Sequence, residues 1–501
     1  MAVLETPGTP DARLRSGSIG LWDVVFQSIT YMAPGIGLAF SIGIGIGFSG
    51  TTLPLSVVIA LIGCGFTAIA IGQTAKHIPS AGGIYTYAAK GLNPASGFYV
   101  GWLYLGFAAF LPVFVLILNG YLIDTTLVSQ GWWTGSPGWE FWTALTILVV
   151  FCLTYFDVRL SAKAGIILGA IEISVFVLLS ATIIGSDKAN NSLAPFDPSN
   201  ALQGNKGLLL GAIFGILAFI GFEAASALGE EARDPRRTVP RGVLYSCIGI
   251  GLYYVFCCYA WVVGTPDIVQ FHTDTEGNDW IQFAHDHWGA AWWIVFIALV
   301  NSNLACGAAA VNNAARVLFA MGRAGSLPSI LGRVHNHHRT PYVAVITVLA
   351  LSSISTYAAG EKWGPVLGFS IVGGMFTILA IVIYMMSCAA CIGYFTRKAE
   401  GIPHKNFLLH IVCPVLGIII FLLALYAQYF SFDTLFKPAF TTFPLNWIGW
   451  GALTWLVLGV IVTLYMRSAK PEALERATHA FGGESEILAH DGPAESMSLS
   501  H

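Results

Sequence analysis

The chain has 501 residues, of which 55% are hydrophobic and only 10% are charged, and its formal net charge is −3. Soluble domains carry about 25% charged residues, so this composition excludes a large soluble enzyme. The slightly negative net charge gives no general affinity for nucleic acid. The composition is that of a protein embedded in a lipid bilayer.

Twelve apolar stretches follow one another along the chain. Each is long enough to cross a bilayer core of about 30 Å, which needs about 20 apolar residues in a helix. Their approximate limits are residues 22–47, 53–75, 97–128, 140–157, 164–185, 208–228, 243–264, 291–321, 341–358, 363–395, 407–430 and 445–466. We predict an all-α polytopic membrane protein with a transmembrane domain over residues 21–467, an N-terminal tail over residues 1–20 and a polar, disordered C-terminal tail over residues 468–501.

Lys and Arg residues are distributed unequally between the two sides of these predicted helices. If the N-terminus is inside, twenty of the 24 lie on that side, and the other four are Lys188, Lys206, Lys362 and Lys437. Short cytoplasmic loops retain positive charge. We therefore expect both termini in the cytoplasm and the chain in the plasma membrane.

Two of the stretches contain helix-breaking residues near the middle of the membrane. About twelve residues after its start, the first stretch carries Ala33, Pro34, Gly35, Ile36 and Gly37. About eleven residues after its own start, the sixth carries Phe219, Ile220, Gly221, Phe222 and Glu223. Proline removes a backbone donor, glycine permits non-helical dihedrals, and unwound backbone at this depth survives only within protein or beside a cavity.

The matched breaks predict an inverted repeat, a design that many transporters share. Two units of five helices would cover residues 22–185 and 208–395, and helices eleven and twelve, over residues 407–466, are left over. A broken helix exposes free N–H groups on one half and free C=O groups on the other. Such a site suits a zwitterion, because backbone alone can bind both a carboxylate and an ammonium group.

Glu172 and Glu223 are the ionisable residues that lie within the apolar stretches and away from their ends. A charge at the bilayer centre costs about 2.5 to 3.5 kcal/mol on insertion scales and usually marks an ion or substrate path. Burial favours the protonated form of a carboxyl group, so both are candidates for proton coupling. The structural alternatives are that Glu172 hydrogen-bonds neighbouring helix backbone and that Glu223 caps the second half of its own helix.

The sequence gives no metal or cofactor site that we favour. The glycine run of residues 43–47 lacks the preceding strand that a phosphate loop requires. Cys388 and Cys391 form a CxxC inside a membrane helix without a second cysteine pair. The histidines of residues 335–338 and of the loop 266–289 lack helical ligand spacing, so we interpret both segments as solvated loops.

Three segments resemble motifs of amino acid permeases in the amino acid, polyamine and organocation (APC) superfamily. The most specific is the sixth-helix break at residues 219–223, which is followed by the charged, proline-bounded segment 229–240 (GEEARDPRRTVP). The others are residues 79–85 (PSAGGIY) after the second helix, and residues 315–323 (ARVLFAMGR) with Leu327 and Pro328 after the eighth. The resemblance covers about residues 18–400.

The resemblance implies the LeuT-type five-plus-five inverted-repeat fold. It also implies alternating access, in which helices 1, 2, 6 and 7 rock against the remaining helices. Substrate backbone recognition would fall at residues 33–37 and 219–223.

The chain departs from the family pattern at several of these positions. Pro34 replaces part of a glycine-serine-glycine type of sequence, and Leu217 stands where the family often has a bulky aromatic gate. Some proton-coupled members carry a lysine at the position aligned with Glu172. Sodium-coupled relatives use hydroxyl groups on the eighth helix, where the nearest polar residues here are Ser302 and Asn303.

The main hypothesis is a secondary transporter that moves an amino acid, with a proton or a sodium ion as coupling partner. The alternatives of the same fold are a transporter of polyamines, ethanolamine or similar amines, with Glu223 as counter-ion, and an amino acid exchanger. An enzyme is not expected, because no nucleophile with its base and no metal-ligand set converges at one face. A channel is also not expected. It would need a symmetric filter with several weak binding sites, whereas two broken helices in one inverted pair favour a single occluding site.

Overall fold

The computed structural model describes residues 19–78, 80, 82–133, 137–156, 162–229, 231–323, 327–335, 340–397, 406–430 and 447–469. Within these residues the chain is helical apart from turns and loops, and β pairing is limited to an isolated parallel bridge between Ile19 and Ala232. The predicted all-α class is confirmed. Residues 1–18 and 470–501 of the predicted tails and the histidines at positions 337 and 338 lie outside the described residues.

A helix occupies each of the twelve predicted apolar stretches. We number them α1 to α12 in chain order and treat each broken helix as one. Their bounds are α1 Leu21–Met32 continued by Pro34–Ile42, α2 Leu53–His77, α3 Pro94–Ser129, α4 Trp139–Tyr155, α5 Ala162–Ile184, α6 Gly204–Phe219 continued by a 3₁₀ segment Phe222–Leu228, α7 Pro235–Val263, α8 Trp293–Arg323, α9 Tyr342–Trp363, α10 Pro365–Thr396, α11 Cys413–Phe430 and α12 Trp447–Ala469.

Most of these helices are long and apolar enough to cross a membrane. Nine helical segments of the described chain meet that test by length and composition, and the bent pair of α1 gives a tenth. Two further apolar helical segments, Val115–Ser129 of α3 and the whole of α4, are shorter than a membrane span requires. The count of twelve spans therefore stays a prediction.

The outer surface of the bundle is apolar, as a lipid-facing surface has to be. Leu178 of α5 and Leu252 of α7 are each 60% exposed, and Ile354 of α9 is 69% exposed. A soluble protein would bury side chains of this kind. They can be exposed here because the surrounding medium is the lipid bilayer, whose tails accept apolar side chains without cost.

Both predicted helix breaks are confirmed. In α1 the interruption falls at Ala33, whose φ of 49° is left-handed, and the two halves are bent by 41°. Pro34 has no N–H, so it cannot continue the hydrogen-bond ladder, and the amide of Ala33 turns to the carbonyl of Thr30 instead at 3.3 Å. In α6 the helix stops at Phe219, and Gly221 adopts a φ of 124° before the 3₁₀ segment begins.

The two breaks lie against each other in the centre of the bundle. The first half of α1 packs against α5, α7, α8 and the 3₁₀ half of α6. A Cβ added to Gly221 would lie 2.9 Å from the backbone nitrogen of Met32. The two chains thus approach at backbone distance, which only glycine permits here.

The predicted solvated loop at 266–289 is wrong in its main part. Two short helices, Ile268–Asp274 and Asp279–Trp288, form there. The Asp279 side chain is fully buried and accepts hydrogen bonds from Trp261 Nε1 at 2.9 Å and from His272 Nδ1 at 2.8 Å. Asp279 is therefore a buried, hydrogen-bonded residue, whereas other polar residues of the segment, such as Asp267 and Glu276, are exposed.

Replacing Gly221 by alanine is expected to destabilise the protein. The new Cβ would combine an unfavourable φ with a backbone clash, and strain of this kind costs about 1 to 3 kcal/mol before the clash is added. Thermal unfolding of the purified protein in detergent measures the effect as a lowered midpoint.

Gly249→Ala is the matched control for that variant. Gly249 lies in the interior of α7 with nothing within 4 Å of its added Cβ. Alanine there is expected to be neutral or stabilising by about 0.5 to 1 kcal/mol. Equal midpoints for the two variants would contradict the close approach of the two breaks.

Candidate functional site

The amides that follow the break in α1 each have an acceptor from within the protein. The amide of Gly35 donates to Glu172 Oε1 at 2.7 Å, and the amide of Ile36 donates to Ser302 Oγ at 3.3 Å. The amide of Gly37 donates to the carbonyl of Ala33 at 2.7 Å. Helices α5 and α8 thus supply the N-terminal cap of the second half of α1.

Glu172 is held from three directions. Besides the Gly35 amide, its Oε2 accepts from Asn301 Nδ2 at 3.3 Å, and the hydroxyl of Ser302 also hydrogen-bonds the carboxylate. The side chain is 4% exposed. Every one of these neighbours is a donor, and the start of a helical segment carries partial positive charge. The surroundings of Glu172 therefore suit an ionised carboxylate.

Glu223 holds the break in α6 in a corresponding way. Its Oε2 accepts from the amide of Gly221 at 3.0 Å and from the hydroxyl of Tyr384 at 2.8 Å. One turn further on, the amide of Ala225 donates to Ser28 Oγ of α1 at 3.1 Å. The carboxylate thus caps the start of the second half of α6, and α10 and α1 supply the remaining contacts.

Hydroxyl and thiol groups meet the carbonyls near both breaks. Tyr254 donates to the carbonyl of Ala218 at 3.1 Å, and Cys306 Sγ lies 3.2 Å from the carbonyl of Tyr31. The hydroxyl of Tyr254 also lies where a Cβ on Gly37 would be. These groups occupy the space that side chains on the broken segments would need, which explains why the segments are rich in glycine.

The remaining predicted substrate-binding residues are buried around the breaks. Phe219 packs edge-on against Tyr254 with ring centroids 5.6 Å apart, and Phe222 packs against Tyr384 at 5.1 Å. Leu217 and Ile220 are each 4% exposed. The two phenylalanines therefore fix the tyrosines that contact the break and Glu223.

Of the two residues predicted on α8, Ser302 reaches the break and Asn303 is not seen to. Both side-chain polar atoms of Asn303 are buried without a hydrogen-bond partner among the described residues. Its neighbour Asn301 contacts Glu172 instead. The sequence analysis missed Asn301 and Tyr384. Asn301 is next to the predicted Ser302 and two positions from Asn303, whereas nothing in the sequence around Tyr384 marked it.

The two glutamates share a further property. Ion pairs within the described part of the chain include Arg237–Asp234, His272–Asp279 and Arg316–Glu231, and neither Glu172 nor Glu223 is seen in one there. No group of three or more His, Cys, Asp or Glu is arranged to hold a metal ion among those residues. When ionised, both carboxylates are buried charges that no cation of the described residues pairs with.

Comparison with known proteins identifies the family. The sequence model of the amino acid permease family matches residues 23–475. The low-affinity putrescine importer PlaP of Escherichia coli K12 is 30% identical over 70% of this chain and 76% of its own length. The branched-chain amino acid permease BcaP of Bacillus subtilis 168 is 27% identical over 65% of this chain and 71% of its own.

A solved structure supports the fold independently of sequence. The crystal structure of MhsT in complex with L-phenylalanine superimposes with a TM-score of 0.56 and 13% sequence identity, over 83% of this chain and 100% of that one. This likeness bears on the fold alone, and it confirms the LeuT-type architecture with two discontinuous helices. The relatives are transporters rather than enzymes. The chain is a multi-pass membrane transport protein and belongs to the amino acid permease family.

Proposed function

We propose that the protein is a secondary active transporter that moves a small amino compound across the plasma membrane by alternating access, coupled to protons. The single observation that carries this proposal is the contact between Glu172 and the amide of Gly35 at the break of α1. It joins an ionisable group directly to a discontinuous helix. The uneven distribution of Lys and Arg supports cytoplasmic termini in this membrane.

Protonation of Glu172 is the proposed coupling event. The ionised carboxylate ties the second half of α1 to α5 and, through Asn301, to α8. A protonated carboxyl group loses the charge and turns one oxygen into a donor, while its neighbours at Gly35 and Asn301 are donors themselves. Protonation therefore weakens the connection and releases α1 from the helices behind it.

A proton fits this position better than a sodium ion does. Sodium sites at broken helices are lined by carbonyl and other oxygen acceptors. The groups facing the Glu172 carboxylate are the N–H of Gly35 and the side-chain amide of Asn301. Donors of this kind would repel a metal cation, so the sodium alternative based on Ser302 and Asn303 is less favoured.

The first half of α1 and the second half of α6 are positioned to move together. Ser28 accepts from the amide of Ala225, and Ile19 exchanges backbone hydrogen bonds with Glu231 and Arg233 at 3.2 and 3.1 Å. An ion pair between Arg316 of α8 and Glu231, with 3.5 Å between nitrogen and oxygen, joins this unit to the rest of the bundle. In the proposed cycle this ion pair breaks when the inner side opens.

Glu172→Gln is expected to uncouple transport from the proton gradient. The amide oxygen of glutamine still accepts from Gly35, so folding is retained, but the side chain no longer titrates. In proteoliposomes, uptake driven by a pH gradient should fall about tenfold or more, and exchange of substrate at equal pH on both sides should continue.

The pH profile of uptake distinguishes coupling from a structural role. A residue needed only for folding would lower uptake and exchange together. Wild-type dependence on the pH gradient in Glu172→Gln would contradict the assignment of the proton to this residue. Absence of uptake and exchange of every amino acid and amine by wild-type protein would contradict transport itself.

Glu223→Gln is expected to abolish transport while the unfolding temperature changes by only a few degrees. Glutamine retains an oxygen that can accept from Gly221, but it removes the buried negative charge beside Tyr384. Thermal unfolding and counterflow measured on the same preparation test this. Unchanged counterflow would assign Glu223 to the structural cap alone.

A further inference from the structure

We infer that the site between the two breaks recognises an organic ammonium cation and has no position for a substrate carboxylate. The inference rests on the proposed transport function and specifies its substrate class: primary amines, including diamines, rather than zwitterionic amino acids. It follows from an inventory of the backbone donors at the breaks and of the charges around them.

The first break offers no unpaired amide among the three that follow Pro34. Glu172 takes the amide of Gly35, Ser302 takes that of Ile36, and the carbonyl of Ala33 takes that of Gly37. Pro34 itself has no N–H. The usual anion-binding property of a helix start is therefore used internally, and the anion bound there is Glu172.

At the second break, three backbone amides likewise have acceptors within the protein. The amide of Ile220 donates to the carbonyl of Leu217 at 3.2 Å, and the amide of Gly221 donates to Glu223. Further along, the amide of Ala224 donates to the carbonyl of Gly221 at 3.0 Å. Protein acceptors occupy these donors on both sides of the site.

A substrate carboxylate would thus have to displace one of the two glutamates. It would also bring a third negative charge to two buried carboxylates, an arrangement that like-charge repulsion disfavours. An ammonium group meets the opposite conditions. The ends of the first halves of α1 and α6 present carbonyl groups with partial negative charge. Beside them lie two carboxylates that form no ion pair within the described part of the chain.

Charge balance leads to the same substrate class. A buried, ionised carboxylate without a partner is costly unless a cation or a proton neutralises it. Glu172 and Glu223 together provide up to two negative charges. A proton and a singly charged amine neutralise both, as does a doubly charged diamine by itself, whereas a proton and a zwitterion leave one of them uncompensated.

Amine and amino acid pairs that differ only by the carboxylate test this inference. We would measure inhibition of radiolabelled putrescine uptake into proteoliposomes by putrescine, ornithine, isoamylamine and leucine, and direct uptake of labelled leucine in parallel. The amine of each pair is expected to inhibit at a concentration about tenfold or more below that of its amino acid, because the carboxylate lacks a hydrogen-bond partner.

The outcomes separate this inference from the proposed function. If leucine or ornithine inhibits as well as its amine, or if leucine is taken up and putrescine is not, the substrate class is wrong while transport stands. If none of the four compounds is taken up or exchanged, the transport proposal fails and this inference fails with it.

Variants of Glu172 test directly whether its carboxylate occupies the place of a substrate carboxylate at the amide of Gly35. The measurement is equilibrium binding of labelled putrescine and labelled ornithine to purified protein. Glu172→Ala frees the amide of Gly35, so the ratio of ornithine to putrescine affinity should rise about fivefold or more. Glu172→Gln keeps an oxygen on that amide and stands for the protonated residue, so it should leave the affinities for putrescine and ornithine close to those of the wild type. Gly249→Ala, remote from the breaks, should leave the ratio unchanged.

An unchanged ratio in Glu172→Ala would overturn the inference. Loss of the folded state in that variant is recognised by its unfolding temperature, and Glu172→Gln then decides the matter. Equal loss of ornithine and putrescine binding in Glu172→Gln would also overturn it, since the residue would then act on both ligands alike.

Discussion

The hydrogen bond between Glu172 and the amide of Gly35 is the contact on which the centre of this protein depends. Interrupting a helix at membrane depth leaves backbone donors with no water to satisfy them. Pro34 and the left-handed Ala33 create this interruption in α1, and a carboxylate from α5 compensates for it. The same solution recurs at the second break, where Glu223 takes the amide of Gly221.

The surrounding helices can be understood as support for these two carboxylates. Asn301 of α8 and Tyr384 of α10 donate to them, and the packing of Phe222 against Tyr384 fixes that tyrosine. The glycines of the broken segments then follow from the supporting side chains. A Cβ on Gly35 would lie 2.9 Å from the ring of Phe176. The chemistry of the breaks and their glycine content are two consequences of one close-packed arrangement.

Sequence reasoning found the breaks because their cause is local. A proline between glycines carries its own backbone consequences, and an acidic residue in an apolar stretch is visible without any structure. Partners are a different problem, since Glu172 and Gly35 are 137 residues apart. Asn301 contacts Glu172 whereas Asn303 is not seen to, because two positions along a helix rotate a side chain by about 200°. Composition does not show which of these residues faces the break. Composition also did not show the two short helices within residues 266–289 or the burial of Asp279, which accepts a hydrogen bond from Trp261.

The backbone amides at the two breaks show most clearly where the expectation from the sequence and the structure differ. A broken helix viewed alone offers N–H groups to a carboxylate and C=O groups to an ammonium, which is why a zwitterion is the first expectation. Within the described part of the bundle the amides of Gly35, Ile36 and Gly221 donate to protein acceptors, and neither glutamate is seen in an ion pair, so under our inference the site prefers a cation. In the proposed mechanism this separates two tasks. Glu172, surrounded by donors, holds or releases the proton. Glu223 then serves as counter-ion to the amine, so proton and substrate need not compete for one group and can cross together.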